Sequence, residues 1–262
     1  MAATPHQKAE AFRALHREGC FVMPNPWDAG SARLLASMGF AALATSSGAA
    51  AGVLGRRDGE LTRDEALAHA RAIVQATELP VAADLENGFG DAPEDAALTI
   101  RLAAEAGLVG GSIEDCSGVQ DRRLYDFGLA VERIAAAAEA ARGLPFPFTL
   151  TARCENFLRG RPDLDDTLRR LQAYEQAGAD VLFAPLLPDL EAVRTVCRTL
   201  RKPVNFMVAR KGLSFSVAEL REAGVRRISL ATSLYRAAMD GLRRAADEVQ
   251  RQGRFGFLDS LP

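Results

Sequence analysis

An alternation of short apolar segments with helical patterns, repeated eight times along the 262 residues, constrains this chain more than any other feature. The apolar segments are rich in strand-forming residues, and several helical patterns stop at a glycine, as helix ends often do. The predicted strands span Cys20–Met23, Ala41–Thr45, Pro80–Ala83, Val109–Ile113, Phe146–Thr151, Asp180–Ala184, Pro203–Val208 and Arg227–Ala231. The predicted helices span Ala29–Ser37, Thr62–Thr77, Pro93–Ala106, Asp126–Ala141, Leu164–Ala177, Leu190–Leu200, Ser216–Ala223 and Ser233–Gln250.

This alternation predicts an α/β fold built from parallel βαβ units. A count of eight favours a closed (β/α)8 TIM barrel over an open doubly wound sheet. No linker, low-complexity segment or block of like charge divides the chain. We therefore expect a single barrel domain over residues 1–262, with a short N-terminal helix and a C-terminal helical tail.

Composition narrows the class of protein. Hydrophobic residues make up 48% and charged residues 25%, which is typical of a globular protein, and the net charge of −2 gives no basic surface for nucleic acid or an acidic membrane. The four cysteines are scattered without zinc-site spacing, so we expect reduced thiols and a cytoplasmic location. We find no signal-peptide pattern and no run long enough to span a bilayer.

Two acids at the end of the third predicted strand point to a metal site. Asp84 and Glu86 lie two residues apart, so both side chains leave an extended strand on one face. Side-by-side acids at the end of a buried strand need a positive charge between them, and a divalent cation with oxygen ligands suits that need. The alternative is a surface acid pair beside the turn formed by residues 87–90.

Other polar residues fall at the ends of neighbouring strands, where barrel enzymes place their active sites. Glu114 can point into the barrel mouth by the same alternation, and Asp58 is either a turn residue or a third acid over the site. Arg153 presents a rigid fork that matches a carboxylate or phosphate, or else it pairs with Glu114 or Glu155.

The remaining strand ends carry weaker candidates. The Ser46–Gly48 segment is either an anion-binding turn or an ordinary turn. Trp27 either contacts a ligand or caps the barrel core, and Asp28 is expected to cap the next helix. Asn205 donates to a ligand oxygen or satisfies a barrel backbone group. The three histidines lie away from the strand ends, and the chain has no nucleophile elbow, P-loop or dinucleotide fingerprint.

Six of these segments together resemble the isocitrate lyase/phosphoenolpyruvate mutase superfamily. They are Asn25–Arg33, Ser46–Gly48, Gly55–Asp58, Asp84–Gly90, Ser112–Asp115 and Thr151–Glu155, in order at successive strand ends. The resemblance implies a (β/α)8 barrel, often with the last helix exchanged between subunits. It implies Mg²⁺, with Mn²⁺ as an option, held by acids at Asp58, Asp84, Glu86 and Glu114.

The resemblance also implies roles for the other candidates. It implies that the Ser46–Gly48 segment and Arg153 bind the substrate's carboxylate or phosphonate. With the strand-end residues considered above, substrate contacts are expected from Trp27, Ser46, Ser47, Gly48, Arg153 and Asn205, and catalytic roles from Ser46, Asp58 and Arg153. Two departures bear on the activity. The chain has Asp84-Leu-Glu86 where the family usually has two aspartates, and it lacks the cysteine loop of isocitrate lyases. Cys116 has no activating neighbours and is interpreted as structural. The loop from Cys116 to Tyr125 lacks the lysine and Asn-Ser pair of phosphonomutases.

These features together predict a Mg²⁺-dependent carbon–carbon lyase or decarboxylase acting on a small 2-oxo or 2-hydroxy carboxylate through an enolate. An oxaloacetate-like compound or a substituted malate is the expected substrate. One alternative is a phosphonomutase-type enzyme acting on a P–C bond, and another is a non-catalytic barrel that binds a 2-oxo acid. The apolar stripe and tail at the C-terminus predict a homodimer or homotetramer.

Overall fold

A computed structural model describes residues 3–118, 123–212 and 215–260. The strands are β1 (Phe21–Met23), β2 (Leu43–Ala44), β3 (Val81–Asp84), β4 (Gly110–Glu114), β5 (Thr149–Arg153), β6 (Val181–Phe183), β7 (Val204–Met207) and β8 (Arg227–Ser229). The helices are α1 (Pro5–Leu15), α2 (Ala29–Ser37), α3 (Ser47–Val53), α4 (Arg63–Gln75), α5 (Pro93–Glu105), α6 (Phe127–Arg142), α7 (Leu164–Ala177), α8 (Leu190–Thr199), α9 (Val217–Glu222) and α10 (Ser233–Gln252), followed by a 3-10 helix (Gly256–Ser260).

The eight strands form one parallel sheet that curls into a barrel, which confirms the predicted fold class. Strands β2 to β8 pair in sequence order, and β1 pairs with β8. At the remaining seam, the Ala44 amide donates to the Pro24 carbonyl at 3.1 Å, and the side chain of Asn25 donates to the Thr45 carbonyl at 2.9 Å. The barrel is therefore nearly closed, and all the strands end at the same mouth.

Local sequence signals set the helix ends. Asp28 caps α2 by accepting the Ser31 amide at 2.7 Å, as expected from the sequence. Thr62 and Glu65 form the predicted capping box at the start of α4. The helices α5 and α6 pack closely through alanine-rich faces on the outside of the barrel. None of the helices in the described ranges has the length and apolar character needed to cross a membrane.

The helix α1 closes the bottom of the barrel. Its Phe12 is fully buried with Met23, Ala44 and Ala82. A Cβ at Gly110 would lie 2.8 Å from the Phe12 ring, so only glycine lets this ring approach β4 so closely. The floor of the barrel is thus sealed, and the mouth is left as the entrance.

Candidate active site

Two adjoining cavities open at the carboxyl ends of the strands. The larger, of about 360 Å³, extends into the barrel past residues from several strands, including Ala44, Ala82, Thr151 and Asn205. The smaller, of about 140 Å³, lies between the loops that follow β2, β3, β4 and β5. Small side chains on β2 and β3 leave the space for the larger cavity. This position matches the place where barrel enzymes hold their substrates.

Arg153, the last residue of β5, joins the acids of the two preceding strands. Its Nη1 lies 2.8 Å from Oδ1 of Asp84, and its Nη2 lies 3.2 Å from Oε2 of Glu114. The same guanidinium donates to Glu155 at 3.0 Å. The salt bridges from Arg153 to Glu114 and Glu155, one of the two alternatives predicted for this residue, are therefore present. Because they form at the mouth of the cavity, they do not exclude the other alternative, a contact with the substrate.

Arg159 is a second arginine of this cluster that the sequence analysis did not identify. Its Nη2 lies 3.3 Å from both Glu114 and Glu155, and it lines the small cavity. The spacing of four residues between Glu155 and Arg159 was the only hint of an ion pair in the sequence. Acids and arginines with this spacing are common, so the hint is weak. Three acids thus share two arginines in a buried setting.

Burial and charge shape the protonation of this cluster. Desolvation, together with the charges of Glu155 and Asp84, raises the pKa of Glu114 well above its usual value despite the nearby arginines. Burial also raises the pKa of Glu155. Burial alone would lower the pKa of Arg153, but the surrounding carboxylates raise it overall, so it stays charged. The three carboxyl groups outnumber the two arginines, so the cluster favours a proton on Glu114 unless a further cation is bound.

Glu86 and Asp58 line the small cavity beside Glu114. Glu86 has a φ of 48°, a left-handed backbone that is costly for a residue other than glycine. The Glu114 amide fixes this backbone by donating to the Glu86 carbonyl at 2.9 Å. A buried arginine, Arg133, also holds the loop by donating to the carbonyls of Asn87 and Ala92.

The four predicted metal ligands are gathered at one mouth but do not form a ligand cluster. Asp58, Glu86 and Glu114 line the small cavity, whereas Asp84 lines the larger one. Within residues 3–118, 123–212 and 215–260, no three acid, histidine or cysteine side chains are spaced to hold one ion. Arg153 lies between Asp84 and Glu114 and pairs with both of them. The all-oxygen donor set and the surplus of carboxyl groups over arginines nevertheless fit Mg²⁺ or Mn²⁺.

The Ser46–Gly48 segment is not a turn, which corrects the prediction. Ser46 caps the short helix α3, and Ser47 is its first residue. The Ser47 hydroxyl and amide both contact Asp84 Oδ2, at 3.0 and 3.4 Å, so the amide faces an acid of the protein. Gly48 passes close to Thr232, because a Cβ there would lie 3.0 Å from its methyl group. All three residues still line the larger cavity.

Trp27 lies outside the set of residues that line either cavity. Its half-buried ring packs edge-on against Tyr235 at 5.8 Å, which agrees better with the structural role than with the predicted substrate contact. Asn205 does line the larger cavity. Its amide nitrogen donates to the Ser229 hydroxyl at 3.0 Å, and its oxygen accepts from Arg227 at 2.8 Å.

Cys116 has the properties of a structural thiol. It is fully buried, and burial raises its pKa to about 11, so the reactive thiolate is scarce at neutral pH. This agrees with the interpretation of Cys116 from the sequence. In the loop that distinguishes lyases from phosphonomutases, residues 119–122 lie outside the described part of the chain.

Comparisons with known proteins find a family and several relatives that match most of this chain. The profile described as Phosphoenolpyruvate phosphomutase matches residues 12–250. The 2-methylisocitrate lyase of Escherichia coli strain K12 is 31% identical over 255 residues, covering 93% of this chain and 83% of the relative.

Two crystal structures are also similar. One is of a candidate lyase or mutase from Burkholderia cenocepacia J2315, with 54% identity, a TM-score of 0.96 and coverage of 98% of this chain and 93% of that one. The other is of a 2,3-dimethylmalate lyase, with 29% identity, a TM-score of 0.87 and coverage of 95% and 89%.

A parallel barrel with acids and an arginine at the ends of β3, β4 and β5 is typical of barrel enzymes whose active sites lie at the strand ends. The chain belongs to the phosphoenolpyruvate phosphomutase family, within the isocitrate lyase/PEP mutase superfamily. The resemblance seen in the sequence is confirmed, as is the prediction of an enzyme, because the named relatives are carbon–carbon lyases.

Proposed function

We propose that this protein is a Mg²⁺-dependent lyase or decarboxylase that acts on a small 2-oxo or 2-hydroxy carboxylate through an enolate. The observation that carries the proposal is the bridge from Arg153 to Asp84 and Glu114 at the mouth of the cavity. It sets one strong donor beside two acids, in a cluster where three carboxyl groups share two arginines. A substrate with an acid group and a neighbouring carbonyl complements both.

The chain's own residues would bind and orient the substrate. The contacts of Arg153 with its three acids leave one Nη1 hydrogen that would donate to the substrate carboxylate. The Ser47 hydroxyl beside Asp84 offers a further polar contact. The Phe183 ring packs against the guanidinium of Arg153, with 5.2 Å between the ring centre and Cζ of Arg153. This contact limits the movement of the Arg153 side chain. Holding the substrate in one orientation directs the breaking bond so that its electrons flow toward the carbonyl.

Mg²⁺, when bound, supplies electrostatic stabilisation of the charge that develops on the carbonyl oxygen. Asp84 and Glu114 would hold it, with Asp58 and Glu86 beside them. In a decarboxylation, the carbon–carbon bond breaks, carbon dioxide leaves, and the electron pair remains on the substrate as an enolate that takes a proton. Such a reaction needs no dedicated acid for the leaving group. The inert environment of Cys116 therefore supports decarboxylation, or cleavage of a simple substituted malate, over isocitrate cleavage.

A panel of substrates with and without Mg²⁺ tests this proposal. Oxaloacetate, 2,3-dimethylmalate, 2-methylisocitrate and phosphonopyruvate would be offered to the same preparation. We expect turnover of oxaloacetate or a substituted malate that needs added Mg²⁺ and exceeds the rate without protein. Turnover of phosphonopyruvate alone would assign P–C bond chemistry instead. Binding of 2-oxo acids with no turnover of any compound would indicate a barrel that only binds them.

A further inference from the structure

The floor of the larger cavity holds a buried arginine that the proposed chemistry does not use. Arg227 is the first residue of β8 and is 4% exposed, and its guanidinium lines the cavity. Its three contacts are all with neutral groups: Asn205 Oδ1 at 2.8 Å, Thr151 Oγ1 at 2.9 Å and His16 Nε2 at 3.3 Å.

No carboxylate neutralises Arg227 within the described residues. No acidic side chain in this part of the chain lies within 4.0 Å of the Arg227 guanidinium, whereas Arg153 and Arg159 at the reacting end are both paired with acids. Burial lowers the pKa of Arg227 to about 9, so the group is still charged at neutral pH. Burying an arginine without a counter-charge is costly, so its presence calls for an explanation.

The neighbour below Arg227 does not supply a negative charge. Burial and the charge of Arg227 lower the pKa of His16 to about 3, so the ring is neutral. Its Nδ1 lies 2.9 Å from the Phe12 carbonyl and donates to it, which leaves Nε2 as an acceptor. A guanidinium carries five N–H donors, and these three contacts use three of them. The remaining donors belong to a group that faces the cavity.

The position of Arg227 relative to Arg153 suits a ligand with two acid groups. Arg227 reaches across the barrel to Thr151, which precedes Arg153 by two residues on β5. Two residues of a strand advance by about 7 Å. A ligand held at its reacting end beside Arg153 can therefore extend a second group down the cavity toward Arg227.

We propose that Arg227 binds the second carboxylate of a dicarboxylate substrate, and that it selects dicarboxylates over monocarboxylates. This inference rests on the proposed function for the location of the reacting end. The arginines Arg210 and Arg236 also line the cavity, but both are exposed, so water and salt screen their charges. Arg227 is buried, so a carboxylate that pairs with it forms a stronger charge-assisted hydrogen bond than one that pairs with an exposed arginine.

Calorimetric binding of succinate and butyrate tests the inference without turnover. The two acids have equal chain length and differ by one carboxylate. We expect the wild type to prefer succinate by about 10- to 100-fold, the effect of one charge-assisted contact. Arg227→Gln should abolish this preference, and Arg227→Lys should keep part of it. Arg226→Gln is the matched control, because the neighbouring Arg226 donates to the Gly19 carbonyl outside the cavity.

The outcomes separate this inference from the proposed function. A wild type without preference, or an Arg227→Gln variant that keeps the preference, contradicts the role of Arg227 even if oxaloacetate is turned over. A lowered melting temperature with an unchanged succinate preference would make Arg227 a structural residue only. Conversely, loss of the preference in Arg227→Gln supports the inference even if the wild type turns over none of the candidate substrates.

Discussion

Arg153 and Asp84 form an ion pair of 2.8 Å between the ends of β5 and β3, across the mouth of the barrel. The two strands are not neighbours, since β4 lies between them and contributes Glu114 to the same guanidinium. One arginine thus fixes the positions of two acids that come from two different strands. Its removal would affect both the charge and the geometry of the site.

Asp84→Ala should abolish turnover and leave the fold intact. The side chain contacts Arg153 and the Ser47 hydroxyl but contributes no apolar packing. Loss of an acid that would hold the metal should lower kcat/KM by about 10³-fold. Steady-state kinetics and circular dichroism check this, with Asp165→Ala, an exposed acid of α7, as the control. Near-normal turnover by Asp84→Ala would remove this residue from the site.

Arg153→Lys should lower kcat/KM by about 10²-fold. Lysine keeps the charge but loses the planar fork that contacts Asp84 and Glu114 together, so the substrate would be oriented poorly. Kinetics and the melting temperature should be measured on one preparation, with the exposed Arg198→Lys as the control. A lowered melting temperature with normal kinetics would show that Arg153 has a structural role only.

The protein should assemble as a homodimer or homotetramer. No residue of α10 is buried within the single chain, and Leu242 on this helix is 62% exposed. Phe255 and Leu258 in the tail are also exposed. The expected partner for this apolar surface is a second copy, which covers it.

Mass measurement by light scattering at micromolar concentration checks the assembly. Leu242→Glu should shift the mass toward that of the monomer, because it places a charge in the interface. Leu98→Glu is the matched control, since Leu98 is 37% exposed on α5, which follows β3 and not a strand beside β8. A monomeric wild type would contradict the prediction.

His16 should make stability depend on pH. Its pKa falls from 6.5 to about 3 on folding, chiefly through burial and then through the charge of Arg227. As the pH falls below 6.5, the unfolded chain takes a proton that the folded chain refuses, so stability is lost toward pH 3. Between pH 6.5 and pH 5, the free energy of unfolding should fall by about 2 kcal/mol because of His16.

Urea denaturation at these two pH values checks the effect of His16. Over this pH range, the free energy of unfolding of His16→Gln should fall by about 2 kcal/mol less than that of the wild type. The carboxylates titrate alike in both proteins, so the difference reports His16. The exposed His6→Gln serves as a control and should follow the wild type. Equal losses in the wild type and His16→Gln would show that His16 is not held neutral by the fold.

The barrel could be predicted because its signals are local. Each strand is a short apolar run, and glycines or capping residues mark the helix ends, so alternation alone gave the fold class. The helix α3 was missed because its seven residues, rich in alanine and glycine, carry no helical pattern of their own. Its first residue, Ser47, contacts Asp84, which lies 37 residues later in the chain.

The site was predicted only where strand alternation decides the direction of a side chain. This rule placed Asp84 and Glu114 at the mouth, but it could not show that Arg153 would lie between them. Arg227 was missed because it marks the start of an apolar run, and its contacts with Thr151 and His16 lie 76 and 211 residues away. Its two-residue spacing from Ser229 was the available signal for a side chain inside the barrel.

The central claim is that the acids around Arg153 support Mg²⁺-dependent turnover of a 2-oxo acid. The most direct test is the rate of oxaloacetate decarboxylation by protein stripped with a chelator, before and after Mg²⁺ is restored, corrected for Mg²⁺ without protein. We expect little activity in the stripped protein, recovery with Mg²⁺, and no recovery in Asp84→Ala. Full activity in the stripped protein, or equal recovery in Asp84→Ala, would contradict the claim.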